Sequence, residues 1–167
     1  MKLKIFITIV LSICCTFTVN AQQLSLYELH KLCNASNWQE GADILTAKGW
    51  KLFTFDSRKI RYAYNVYENG YADGWLEFTI NYSEKIDHIV YSSKEENVSA
   101  IKASLSAYGY KQFKSRISDE QIKTYYTNDK MTIQFSIVKF RRDTGEMDNS
   151  FYVFLTPITV EGFFVDY

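Results

Sequence analysis

Apolar and polar positions alternate with two different periods along this chain, and the switches between them mark out its elements. Leu26, Leu29, Leu32 and Cys33 recur at helical spacing behind Ser25, a residue suited to cap the first turn. The polar run from Asn34 to Asn37 breaks that helix, and a second is predicted from Trp38 to Lys48. A third spans Lys94 to Tyr108, where Val98, Ile101, Leu105 and Tyr108 form the apolar stripe. Between and after these helices the period drops to two. Leu76, Phe78 and Ile80 alternate with polar residues, as do Ile133, Phe135 and Ile137, in the manner of half-buried strands. Further strands are predicted at Ile60 to Tyr67, Ile86 to Tyr91, Gln121 to Thr127 and Phe151 to Thr156.

The pattern also repeats itself. Ile44-Leu45-Thr46-Ala47-Lys48-Gly49-Trp50-Lys51-Leu52-Phe53 returns sixty positions later as Ser104-Leu105-Ser106-Ala107-Tyr108-Gly109-Tyr110-Lys111-Gln112-Phe113. The shared Ala-x-Gly-aromatic-Lys-x-Phe reads as a helix closed by a left-handed glycine, then a turn into a strand. Alternation after the glycine places Trp50, Leu52 and Thr54 on one side and Lys51, Phe53 and Phe55 on the other. Phe53, Phe78, Phe113 and Phe135 are expected to point inward. Each half thus reads as helix followed by about four strands. The length differences between halves fall in the turns Glu68-Asn69-Gly70 and Arg142-Asp143-Thr144-Gly145.

An α+β fold is expected from this order, with two tandem repeats of helices and about four antiparallel strands. Short turns dictate antiparallel pairing, and the helices are expected to cover one sheet face. The first repeat takes residues 22–93 and the second 94–167. No Pro-, Gly- or Ser-rich linker separates them, which favours one rigid unit. The segment Ile158 to Tyr167 is strongly aromatic and is expected to add an edge strand or lie in a groove. This layout resembles the β-lactamase inhibitor protein architecture, and also that of exported Gram-negative proteins with an aromatic-rich tandem repeat. The resemblance implies that the open sheet face binds a protein. That family staples its halves with disulfides, whereas this chain after residue 21 holds Cys33 alone.

Residues 1–21 carry a different signal. A basic start at Lys2 and Lys4, an apolar run from Ile5 to Val19 and a small residue at Ala21 are the parts of a secretory leader. The run of about 15 residues is shorter than the roughly 20 a spanning helix needs. Soluble export is preferred over lipidation at Cys14, because Ile13 is too bulky for the residue before a lipidated cysteine. Localisation is therefore expected to be periplasmic or extracellular, in a Gram-negative bacterium, with no stable membrane insertion once the leader is removed. Cys14 and Cys15 leave with the leader, so no internal disulfide can form. Lys2 and Lys4 leave too, so 17 of the 19 basic residues face 19 acidic ones. That balance gives no basic stripe of the kind nucleic-acid binding needs.

Little catalytic chemistry is legible. His30 and His88 stand in unrelated places, and Asp87 points away from its strand neighbour His88. A zinc site needs three or four gathered ligands, so no metal or other cofactor is expected. Cys33, three residues after His30, continues the apolar stripe and reads as a core residue rather than a nucleophile. Asp143, Glu146 and Asp148 crowd a turn, but Arg141 and Arg142 compete for them, which favours a solvated hairpin over calcium. No phosphate loop, nucleophile elbow or zinc-protease motif is present.

Aromatic content is the outstanding feature, at 17% of the chain. Trp75 shares its side of a strand with Glu77, Thr79 and Asn81, opposite Leu76, Phe78 and Ile80. A tryptophan among polar neighbours on a sheet face is a suitable binding anchor. The candidate binding set is Trp75, Glu77, Tyr62, Tyr64, Tyr71 and Tyr82. The expected function is a non-catalytic exported module that engages a protein of the cell envelope through this aromatic face. The alternative is a carbohydrate or small-ligand binder, and an enzyme with scattered catalytic residues is the least favoured reading.

Overall fold

A computed structural model describes residues 23–158. The expected export leader, and all of the aromatic C-terminal segment after Ile158, lie outside the described residues. Helix α1 (Leu26–Cys33) begins as the sequence dictates: the Ser25 hydroxyl accepts from the Glu28 amide at 3.3 Å, and the Glu28 carboxylate accepts from the Ser25 amide at 2.8 Å. Lys48 reaches the other oxygen of Glu28 at 2.5 Å. Partial burial raises the Glu28 pKa, but Lys48 and the Ser25 amide and hydroxyl outweigh it and hold the carboxyl below its usual range. Replacing Ser25 by Ala is expected to cost about 1 kcal/mol, the usual worth of such a cap. Urea unfolding reads this directly, and an unchanged midpoint would show that the box contributes nothing here.

Helix α2 (Trp38–Ala47) is capped by the Asn37 carboxamide, and helix α3 (Glu95–Ser104) continues as a 3₁₀ turn over Leu105–Tyr108. Gly49 and Gly109 end the α2 and 3₁₀ segments at φ of 84° and 74°, the left-handed values the repeated motif demands. In both copies the aromatic after the glycine is buried: Trp50 at 2% and Tyr110 at 5% exposure.

The strands are β1 (Lys51–Asp56), β2 (Lys59–Val66), β3 (Ala72–Ile80), β4 (Ile86–Ser93), β5 (Lys111–Ile117), β6 (Gln121–Thr127), β7 (Met131–Arg141) and β8 (Met147–Pro157). They form one eight-stranded sheet in the order β1-β2-β3-β4-β8-β7-β6-β5, antiparallel throughout. The protein is therefore α+β, with three α-helices among the described residues. Helices α1 and α3 both touch the central strands β4 and β8.

One buried cluster joins Leu29, Leu32, Leu45, Val98, Ile101 and Leu105 of the helical segments to Ile60, Leu76, Phe78, Ile89, Ile133, Val153 and Leu155 of the strands. Cys33 lies in it, as the stripe predicts, and burial pushes its thiol pKa up, so it stays protonated at neutral pH.

The inward placement of Phe53 and Phe113 is corrected by the structure. Their exposures are 47% and 51%. Each is the extra residue of a β-bulge, because the register of β1 on β2 shifts between Leu52 and Thr54, and that of β5 on β6 between Gln112 and Lys114. A bulge sets two residues against one and so breaks simple alternation. Alternation from the buried Trp50 sets Phe53 on the face of Trp75, with ring centroids 4.7 Å apart. The bulge repeats that side at Thr54 and returns Phe55 to the other, 5.6 Å from Trp38 of α2.

Candidate functional site

Strand β3 divides its residues cleanly between two environments. Gly74, Leu76, Phe78 and Ile80 are buried, and Asp73, Trp75, Glu77 and Thr79 are half-buried on the other face. Register then fixes what stands beside Trp75 and Glu77. Trp75 is flanked by two small residues, Ala63 of β2 and Ser92 of β4. Glu77 is flanked by Arg61 and Val90. The Arg61 guanidinium donates to the Glu77 carboxylate at 2.7 Å, Lys59 approaches it at 3.7 Å, and Arg61 also lies 5.9 Å from the Trp75 ring centroid. Phe53 meets Trp75 nearly edge-on, at 81°. The result is an aromatic pair with a cation held over it by a carboxylate.

The same face continues across the sheet. Ser92 pairs with Tyr152 and Val90 with Phe154, and these two β8 aromatics have centroids 6.3 Å apart. Beyond them, Gln134 leads to Tyr125 of β6, which packs 6.1 Å from Phe113 and lies under Lys114 at 5.6 Å. A bulge phenylalanine, a strand aromatic and a cation thus recur towards both edges. Trp75 and Tyr125 are four strands apart, about 19 Å at the usual strand spacing. By alternation this face also carries Arg116, which is exposed, and Lys123, which is buried.

The chain matches no protein-family model, no curated protein and no solved structure. The site is therefore read from its own geometry.

Of the six residues singled out from sequence, Trp75 and Glu77 share this second face. Tyr62 is 4% exposed and packs on Phe78 in the core, and Tyr64 packs on Trp50 at 5.7 Å. Register explains both: Tyr62 pairs with Leu76 and Tyr64 with Gly74, the buried set of β3. Tyr71 and Tyr82 are 70% and 87% exposed, in the turns before β3 and before β4, and Arg58 stacks over the Tyr82 ring at 3.9 Å. Sequence reading missed Phe53, Arg61, Tyr152, Phe154, Phe113 and Tyr125. For Tyr152 and Phe154 the alternation with Val153 and Leu155 was a sufficient signal. For Phe53 and Phe113 the signal was alternation from Trp50 and Tyr110, which sets them on the side opposite those buried rings.

Concave places among the described residues lie outside the Trp75–Tyr125 span of this face. A cleft of about 370 Å³ is lined by His30, Asn34, Tyr108 and the β6–β7 turn. There His30 Nε2 and the Tyr110 hydroxyl are 2.8 Å apart, and burial lowers the His30 pKa below 6.5. A second cleft, about 300 Å³, is lined by Tyr64, Asn65, Asp73, Lys94, Glu96 and Asn97 among others. Asp73 accepts from Asn65 and from the Tyr67 hydroxyl, each at 3.0 Å, and pairs with Lys94 at 3.3 Å. The hydrogen bond from Asn65, then those from Tyr67 and Lys94, hold the Asp73 carboxyl below its usual range against partial burial. In the β7–β8 hairpin, Arg142 holds Asp148. Among the described residues no three His, Cys, Asp or Glu side chains gather to hold a metal, and no helix is long and apolar enough to cross a membrane.

Proposed function

We propose that the chain is an exported, non-catalytic binding module that engages a protein of the cell envelope through the second sheet face. The observation that carries this reading is the Phe53–Trp75–Arg61–Glu77 cluster. It combines a half-exposed tryptophan, a stacked cation and a satisfied carboxylate, the residue types that dominate protein interfaces. We take the architecture as two tandem repeats, 22–93 and 94–167, with the helices over the opposite face. The mirrored strand order about the β4–β8 pair and the matching bulges at Phe53 and Phe113 support that view. They also suit the resemblance to the β-lactamase inhibitor protein layout. Removal of residues 1–21 on export, to the periplasm or outside of a Gram-negative cell, belongs to the same reading. The exposed Lys114, beside Phe113 and over Tyr125, favours a partner that presents acidic groups there.

The test uses residues 22–167 immobilised against cell-envelope extract, beside a Trp75→Ala variant with unchanged circular dichroism. A partner identified with the wild type should bind the variant at least about tenfold more weakly, or about 1.4 kcal/mol. Equal affinity for both proteins would remove Trp75 from the interface and with it this placement.

A second reading, a carbohydrate or small-ligand binder, is favoured by the 300 Å³ cleft, where Asn65, Asp73, Glu96 and Asn97 sit beside Tyr64. Carboxylates and carboxamides near an aromatic suit sugar hydroxyls. An Asp73→Ala variant that loses a sugar bound by the wild type would move the function there.

A further inference from the structure

The 300 Å³ cleft contains a donor that its own walls do not satisfy. Trp50 lines the cleft and is 2% exposed, yet among the described residues nothing accepts a hydrogen bond from its indole nitrogen. A buried N–H left unpaired is costly, so an acceptor arriving from outside gains most at such a point. The ring is held firmly. It packs on Tyr64 at 5.7 Å and on Tyr91 at 6.1 Å. Its Cη2 and Cζ2 lie 3.0 Å and 3.7 Å from where a Cβ on Gly74 would stand, so only glycine leaves room for it. Gly74 belongs to the cleft, and Nε1 is joined to Cζ2 through a single ring carbon. The nitrogen therefore lies on the edge of the indole nearest this cleft residue.

The polar groups around it are already fixed to one another. Asp73 is held by Asn65, Tyr67 and Lys94, and Asn97, 8% exposed, donates to Ser93 Oγ at 2.7 Å. Asn65 reaches Asp73 from a left-handed φ of 48°, a conformation that a non-glycine residue adopts at a cost. Carboxylates keep spare lone pairs after such bonds, so the walls are rich in acceptors while Trp50 offers a donor.

We infer, building on the sugar reading of this cleft given above, that it takes a single neutral sugar ring with one oxygen accepting from Trp50 Nε1. A volume of about 300 Å³ is at the lower end for small-molecule sites and suits one ring. Asp73 and Glu96 outnumber Lys94 there, which disfavours an acid. An ammonium group would suit the carboxylates but carries no lone pair for Trp50. A hydroxyl both accepts and donates, and so meets the indole and the walls at once. Tyr64, half-buried beside Trp50, supplies an apolar face for the ring carbons.

NMR on the nitrogen-15-labelled protein tests this, by titration with glucose, galactose, mannose and N-acetylglucosamine, and with glucuronate as the acidic counterpart. The chain has three tryptophans, so Trp38→Phe and Trp75→Phe variants identify the Trp50 indole N–H signal by elimination, with the Trp50 side chain untouched. At least one neutral sugar is expected to move that signal downfield, with those of Trp38 and Trp75 unmoved. Glucuronate should bind at least about fivefold more weakly at low ionic strength, and Glu96→Gln should narrow the gap. A Trp50 signal that stays still with every neutral sugar would overturn the inference, as would equal affinity for glucuronate. Shifts at the amides of Asn65, Asp73 and Asn97 with Trp50 unmoved would keep a sugar in the cleft and refute the Trp50 anchor alone. Shifts centred on Trp75 would move sugar binding to the second sheet face and refute both.

Discussion

Replacement of Phe78 by Ala should cost about 3–5 kcal/mol, the largest single loss expected in this protein. Phe78 is fully buried in the second half of β3, paired with Ile60 on one side and Ile89 on the other. Its ring lies 6.0 Å from that of Tyr62 and directly beneath Gly41 of α2. Removing it leaves a cavity bounded by two strands and a helix, none of which can close without giving up its own hydrogen bonds. Against a domain stability of about 5–15 kcal/mol, that loss is a third or more for most of the range. Urea unfolding with an unchanged slope is the measurement. A loss under about 1 kcal/mol would mean that Phe78 does not sit in a closed core.

The second large effect concerns the same contact from above. Gly41 is buried within α2, and a Cβ placed there would lie 3.1 Å from Phe78 Cζ and 3.2 Å from Ile86 Cδ1. Two effects oppose each other at this position. Any residue but proline improves helix propensity over glycine, by up to about 1 kcal/mol. Added volume forces the Phe78 and Ile86 side chains apart, at about 1–3 kcal/mol for an overpacked core. For Gly41→Ala the atoms displaced are the far ends of two side chains, so the terms nearly cancel. For Gly41→Val the branched side chain cannot avoid both neighbours, and a net loss of about 1–3 kcal/mol is expected in thermal or urea unfolding. Pairing Gly41→Val with Phe78→Leu should recover part of it, because the two changes act on one space. Additive losses would show that α2 does not pack on Phe78.

Gly41 also shows where sequence reading stops. The helix over Trp38 to Lys48 is legible from its cap and spacing, but a glycine inside it looks like a weakness until Phe78 is found 3.1 Å from its missing Cβ. The corners at Gly49 and Gly109 were legible for the opposite reason: their role is local, and the φ values follow from the residues on either side. Trp75 could be assigned a face because β3 alternates without interruption. Tyr62 and Tyr64 could be assigned only after β2 was paired with β3, since their own strand does not say which side is buried. Phe55 was hidden further, because the unpaired Phe53 reverses the direction that counting from Trp50 would give the later residues of β1.

The two β-bulges have a consequence for the protein as a colloid. β1 and β5 are the outermost strands, and an outer strand with free amides and carbonyls is a template on which another molecule can grow a shared sheet. The extra residue in each kinks the ladder that such growth must copy. The two rims are unequally defended beyond that. Lys111, Lys114 and Arg116 place like charges along β5, so a second β5 is repelled as well as misaligned. Along β1, Leu52, Phe53 and Phe55 are exposed with Lys51 and Asp56 only at the ends. Polymerisation at high concentration or low pH is thus channelled to one rim of the molecule, and an engineered charge at Phe55 is the place to stop it.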